Sequence, residues 1–347
     1  MAKKKGGIGI GIALYIGIRL IIKHRLDVCV TMKKKRNRVT EKVKKNSEKE
    51  EESPATEMQQ QPLLDLQALP EGCIAHVISL TSPPDACRLS SLSKAIRSAA
   101  ESDAVWEKFI PRETHEILSQ SNSSLSSFPP KSKKELYMAL CDTPILIDEG
   151  YTSFSLDKWS GKKCYMIAAK RLRIAWGDTR RYWRWKSLTQ SRFKEVAELR
   201  IVCWLEIRGR IETSMLSPST TYKAYLVYKL TESTERGWAC EPVVVTVGAR
   251  AYGFDYECPG LKEITAGIKH TAFLGPKGKY KHSLQGTGEA KFPNERRADG
   301  WLEMELGEYH CQGDEDGELE MICCEIETGM GKGGLIVQGI EIRPKRN

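Results

Sequence analysis

Apolar positions along this chain recur with two different periods, and the change between them falls near Pro144. From Leu66 to about Asp142 they return every three or four residues, the spacing of one face of a helix. Ile74, Val77 and Ile78 share such a face, and Pro70 suits a first helical turn. Pro83-Pro84 is expected to end that helix, with Asp85 as N-cap of a second one carrying Ala86 and Leu89. Ser93 is placed to cap a third helix, and a turn opened by Asp103 carries Val105, Trp106 and Phe109. After a Ser-rich stretch, Ser132-Lys133-Lys134-Glu135 has capping-box spacing and predicts a helix through Leu140. Beyond Pro144 the period becomes two. Strands are predicted at 164–169, 171–176, 199–208, 222–230, 243–247, 301–306, 318–326 and 335–342. Short strands with turn signals between them mean a sandwich or barrel, so the fold class is α+β: a small helical module, then an antiparallel β-sandwich.

Composition changes this picture only at the start. The chain has 347 residues, and 40% apolar content is enough for a packed core. Its net charge is +9, but residues 1–60 hold fifteen Lys/Arg against seven Asp/Glu, so the remainder is close to neutral. No phosphate-tracking surface is therefore expected, and no nucleic-acid partner. Lys3-Lys4-Lys5 precedes an uncharged run from Gly6 to Ile18, which is short for a membrane span. If residues 6–22 do insert, the denser lysines and arginines after Lys23 put the rest of the chain in the cytoplasm. Residues up to 62 otherwise read as a basic extension and linker with too little apolar surface to fold. The eleven cysteines form no Cys-x-x-Cys and no zinc spacing. They read as reduced thiols in a reducing compartment, and no cofactor or metal is implied.

Leu69-Pro70-Glu71-Gly72-Cys73-Ile74, then Ser82-Pro83-Pro84-Asp85 and Val105-Trp106, resemble an F-box, here bounded at 63–112 with a helical connector at 113–150. The resemblance implies a hook that docks on the Skp-type adaptor of cullin–RING ubiquitin ligases. A unit this small cannot cover all its apolar side chains by itself. Leu69, Pro70, Ile74, Val77, Ile78, Pro84, Leu89 and Trp106 are the residues assigned to adaptor binding. The plainer reading is a helical hairpin packed on its own sheet domain.

From 151 to 347, Trp159-Ser160-Gly161, then Trp176-Gly177-Asp178 and Tyr182-Trp183-Arg184-Trp185, then Gly333-Gly334-Leu335 to Arg343-Pro344, resemble the phloem-protein-2 family. That family includes the tobacco-agglutinin type of cytoplasmic and nuclear plant lectin, and the whole chain resembles its F-box subgroup, of B type. The resemblance implies a jelly-roll-like sandwich that binds N-acetylglucosamine oligomers or N-glycans and selects cargo for the ligase. Trp176 and Trp183 match the family's sugar-binding tryptophan pair, and Glu318 and Glu325 have the spacing of its two late glutamates. Trp183 and Trp185 share a strand face, so one of the tryptophan pair is expected in the core. Trp204 reads as packing, and Tyr225 and Tyr228 as candidates that no motif supports.

No catalytic motif is present: there is no Gly-x-Ser-x-Gly or His-Glu-x-x-His, and Gly329 to Gly333 lacks phosphate-loop spacing. Glu303 and Glu305 alternate on a strand and read as a solvated face. The expected role is a non-catalytic adaptor in cytoplasm and nucleus. The alternatives are an intracellular lectin that acts without a ligase, and a protein-binding sandwich with no sugar affinity.

Overall fold

The computed structural model describes residues 69–119, 121, 130–231, 238, 242–249, 267–275, 290–294, 297–313 and 317–346. The basic extension at 1–62 and the segment 6–22 lie outside the described residues. No helix among the described residues is long and apolar enough to cross a membrane.

Two compact units divide between Val105 and Trp106. In the first, α1 (Glu71–Ser79) follows Pro70, which supplies an N-cap that needs no N–H. Helix α2 (Pro83–Leu89) begins on the two prolines instead of being preceded by a Pro-terminated helix. Proline is well suited to a first turn, so Ser82 is the N-cap. Asp85, expected as the cap, sits at the third helical position and accepts the Ser82 hydroxyl at 2.7 Å. In α3 (Lys94–Glu101), Ser93 Oγ accepts the Ile96 N–H at 3.3 Å, as its position in the sequence predicts. Ile74, Ile78, Ala86, Leu89, Ile96 and Ala99 form the buried side of these helices.

The second unit starts within α4 (Asp103–Phe109). Trp106 is fully buried, its ring 5.2 Å from Tyr137 and 5.6 Å from Phe109. A short α5 (Thr114–Ser119) precedes α6 (Lys133–Asp142), which packs on the strand Thr152–Leu156. Tyr137 of α6 donates its hydroxyl to the Asp157 and Lys158 carbonyls, each at 3.2 Å.

The strands form two antiparallel sheets facing each other as a sandwich. The larger runs β1 (Ile145–Ile147), β2 (Thr152–Leu156), β3 (Lys163–Ala168), β13 (Leu335–Pro344), β6 (Val196–Leu199), β5 (Trp183–Lys186). On its other side β13 pairs β8 (Thr220–Leu230), which pairs β11 (Leu302–Cys311). The smaller sheet runs β10 (His270–Ala272), β9 (Val243–Ala249), β12 (Glu318–Glu325), β7 (Leu205–Glu212), β4 (Arg173–Ile174). Between the sheets, Gly209 of β7 leaves room for Ile340 of β13, whose Cδ1 stands only 2.9 Å from where a Cβ would be. A second cluster (Met166, Phe193, Val227, Trp301, Ile336) includes residues of β3, β8 and β13, and the Trp301 indole donates to the Gln190 carbonyl at 2.9 Å.

Glu303 is not on a solvated face. It is buried, accepts Arg343 at 2.7 Å and Asn294 at 2.9 Å, and joins Glu341 in a network with Arg297, Arg343 and Arg192. Burial pushes the Glu341 carboxyl up, but the arginines outweigh it and hold it below the ordinary carboxylate value. Glu303 is held low in the same way, by Arg343 and Asn294 against burial.

Candidate functional site

Of the residues assigned to adaptor docking, the structure leaves only some accessible. Pro70 is exposed, and Leu69, Val77 and Pro84 are half-buried. Ile74, Ile78 and Leu89 are not available, because they form the module's own core. Trp106 is not available either, since the sheet unit encloses it with Tyr137. Helical spacing places residues on a face but does not say which part of it the neighbouring helix covers. Leu80 and Leu92, which the motif passes over, are the large exposed apolar side chains among the described residues of this unit.

The sandwich carries a second accessible apolar surface, built by loops at one end of the two sheets. Trp176 is 58% exposed and has φ of +61°. A left-handed backbone at a bulky residue costs about 1–3 kcal/mol and clusters at ligand sites. Here it follows β4 directly: Ala175 N–H donates to the Glu206 carbonyl at 2.9 Å, and Gly177 N–H closes a turn onto Ile174 O at 3.0 Å. The Trp176 ring lies 6.0 Å from Tyr182 at an interplanar angle of 54°. Trp183 does not join it. It is 2% exposed, and its indole N–H is taken by the Ala175 carbonyl at 3.1 Å, so it supports the Trp176 loop from beneath. Trp185 does the same for the Gly177 carbonyl, also at 3.1 Å, with Lys170 4.1 Å above its ring.

The two glutamates part company. Seven steps along a strand reverse the face and cover about 23 Å, so Glu318 and Glu325 sit on opposite faces and at opposite ends of β12. Glu318 stands opposite Glu212 of β7, away from the Trp176 end. Glu325 lies at that end. Cys324 pairs with the same Glu206 that Ala175 bonds to, which puts Glu325 two strand spacings, about 10 Å, from Trp176. Its carboxylate is buried and committed, since it pairs with Lys332 and accepts the Glu327 and Thr328 N–H groups at 3.0 and 2.9 Å. Burial pushes the Glu325 carboxyl up, but Lys332 and the two N–H groups hold it below the ordinary value. The Lys332 ammonium also donates to the carbonyls of Met330 at 2.8 Å and Cys203 at 3.1 Å. This pair fastens the 326–334 loop onto the 200–204 loop, where Val202 and Lys332 exchange two backbone hydrogen bonds of 2.8 and 2.7 Å.

Residues that sequence reasoning missed complete the surface. Trp204 is 42% exposed instead of packed, with its indole N–H 3.4 Å from the half-buried Glu206 carboxylate. Ile201 and Met330 are exposed on the two loops that Lys332 joins. Tyr225 and Tyr228 take no part: Arg343 covers the first at 3.9 Å, and the second is buried with its hydroxyl on Leu274 O. No sequence signal marked Trp204, which fell inside the strand predicted at 199–208; it lies in fact just before β7, where a side chain escapes the pairing that would bury it. The result is two exposed indoles and a Glu206 carboxylate that already accepts Arg208 Nε and the Trp204 indole, with lone pairs left over for a hydroxyl. Such an arrangement stacks on the apolar face of a sugar ring and hydrogen-bonds its edge.

Residues 162–344 match the family described as Phloem protein 2, and residues 66–108 match the F-box domain. The chain belongs to the phloem protein 2 family. Its relatives in Arabidopsis thaliana share both parts. PP2-B12 is 44% identical over 278 residues, covering 80% of this chain and 97% of the relative. F-box protein PP2-B1 is 38% identical over 308 residues, covering 81% and 90%. Among solved structures, a low-affinity xylan-binding module, CBM86, from the gut symbiont Roseburia intestinalis covers 52% of this chain and 96% of its own. At a TM-score of 0.21 and 11% identity that likeness is too slight to inform the ligand. In this F-box member of the family, the matched F-box ends at residue 108, inside α4, close to where the two compact units divide.

Proposed function

We propose that this protein is the substrate-recognition subunit of a Skp–cullin–F-box ubiquitin ligase, and that its sandwich selects cargo by binding carbohydrate. The exposed, left-handed Trp176, carried on the same chain as an F-box, is the observation on which the reading rests. The adaptor would cover Leu69, Pro70 and Val77 together with Leu80 and Leu92. The sugar, an N-acetylglucosamine oligomer or N-glycan by the family's habit, would stack on Trp176 and Trp204. Ubiquitin transfer belongs to the partner subunits. Cytoplasm and nucleus are the compartments proposed, since the described cysteines, adjacent Cys323 and Cys324 included, are free thiols. Co-precipitation of the Skp-type adaptor with the full chain, abolished by Leu69→Ala with Pro70→Ala, tests the ligase half. An intact chain that never recovers the adaptor ends it. Ile201 and Met330 favour a second reading, a protein-binding sandwich, because neither side chain has use for hydroxyls. A glycan array that stays blank for the wild type selects that reading.

A further inference from the structure

The sheet unit is close to neutral as a whole, yet its charges are not evenly spread. Between residues 170 and 186 the sequence places seven Lys/Arg against one acid, Asp178. Several of these are committed. Arg171 pairs with Asp148, Arg184 and Lys186 share Glu198, and Lys170 lies over Trp185. Arg180 and Arg181 are exposed and have no carboxylate within ion-pair distance among the described residues, and Arg200 on the neighbouring loop is in the same position. These three lie together beside the Trp176 platform. Arg200 N–H donates to Tyr182 O at 2.8 Å and its guanidinium reaches Arg180 O at 3.5 Å. The Arg181 guanidinium sits 5.9 Å from the Tyr182 ring, which is 6.0 Å from Trp176.

An exposed aromatic platform edged by three guanidinium groups without carboxylate partners suits a ligand with an apolar ring face and anionic substituents. Guanidinium forks match planar or tetrahedral oxyanions two oxygens at a time, which neutral hydroxyls cannot reproduce. We infer that the saccharide taken at this end of the sandwich is acidic, carrying uronate carboxylates or sulfate esters that meet Arg180, Arg181 and Arg200 while a ring stacks on Trp176. The inference rests on the carbohydrate reading above and narrows it to a chemical class.

The full-length chain is titrated with chitotriose, trigalacturonate and a sulfated trisaccharide, in dilute and in raised salt. At least one acidic trisaccharide binds about tenfold or more tightly than chitotriose in dilute salt, about 1.4 kcal/mol. Raised salt shrinks that advantage. Arg180→Gln with Arg181→Gln brings acidic affinity down to the chitotriose level and leaves chitotriose binding where it was, while Trp176→Ala weakens every saccharide. The uronate and sulfate arms show which anion is preferred. Equal or tighter binding of chitotriose overturns the inference but leaves the carbohydrate reading standing, whereas no binding of any saccharide removes both. Acid preference that survives the double Arg substitution also overturns it. So does equal retention of anionic phospholipid vesicles or single-stranded RNA that is indifferent to Trp176→Ala, since the patch would then be a general polyanion surface.

Discussion

Trp176 and Trp183 occupy matching places in a family motif but opposite physical situations, and substitution should separate them. Trp183 buries nearly its whole side chain and gives its indole N–H to Ala175 O. A buried tryptophan removes roughly 150–250 Å² from water, about 4–6 kcal/mol at 25 cal/mol per Å², and truncations of this kind cost about 3–5 kcal/mol. Leaving the Ala175 carbonyl without its donor adds about 1 kcal/mol. Trp183→Ala is therefore expected to lose about 4–6 kcal/mol, and Trp183→Phe, which keeps most of the volume, a smaller part of that. Trp176 is mostly in solvent and held in a left-handed backbone. Glycine relieves about 1–2 kcal/mol of that strain and returns about 0.5–1 kcal/mol as chain entropy. Trp176→Gly should thus stay within about 1 kcal/mol of wild type while losing carbohydrate affinity. Urea unfolding of the full chain, followed by a binding titration at zero denaturant, measures both. A Trp176→Gly protein destabilised by more than about 2 kcal/mol, or a Trp183→Ala protein with an unchanged midpoint, would refute the division between platform and support.

Three further outcomes follow from the geometry. Lys332→Met strands the buried Glu325 carboxylate, and the unfolding free energy from urea titration should fall by about 3–5 kcal/mol; adding Glu325→Leu should recover most of it, and a single variant as stable as wild type would show that the pair holds nothing. Glu303 and Glu341 are both held below the ordinary carboxylate value of 4.5, so their stabilisation is complete above that pH and is lost as pH falls through their lower folded values. Denaturation midpoints scanned from pH 6 to pH 2 should decline below pH 4.5, and less steeply in Glu303→Gln. Gly339→Ala would set a methyl group 2.0 Å from the Ile167 carbonyl oxygen, where β3 and β13 pair, and should cost at least about 3 kcal/mol or abolish soluble expression.

The sequence carried the long elements well because each satisfies its period by itself. The strand predicted at 222–230 is all of β8 but its first two residues, and that predicted at 335–342 lies within β13. Elements decided by tertiary context were not legible. The alternation read as one strand from Leu199 to Arg208 spans two, because at 200–204 the chain crosses from the large sheet to the small one. β1 and β2 were missed, being a three-residue Ile-Leu-Ile and a polar-looking Thr-Ser-Phe-Ser-Leu that pair with each other. The site was half legible for the same reason. Motif spacing located the Trp176 loop, but the Glu318/Glu325 spacing cannot serve one ligand once both lie on a single strand. A charge total near neutral likewise drew attention away from the basic run at 170–186, and only the fold shows which of its arginines lack a carboxylate and that Arg200 joins them.

β13 has partners on both edges: β8 along one, and β3 and β6 along the other. All three are made long before it, so the large sheet has a vacant centre until β13 emerges from the ribosome. At roughly 5–20 residues per second, the interval between residue 105 and residue 344 lasts on the order of ten to fifty seconds. During that time the helical unit is out and the sandwich is unfinished. Newborn chains therefore complete the F-box long before the sandwich can close, and a nascent chain that stalls before β13 would leave three unpaired strand edges for chaperones to guard.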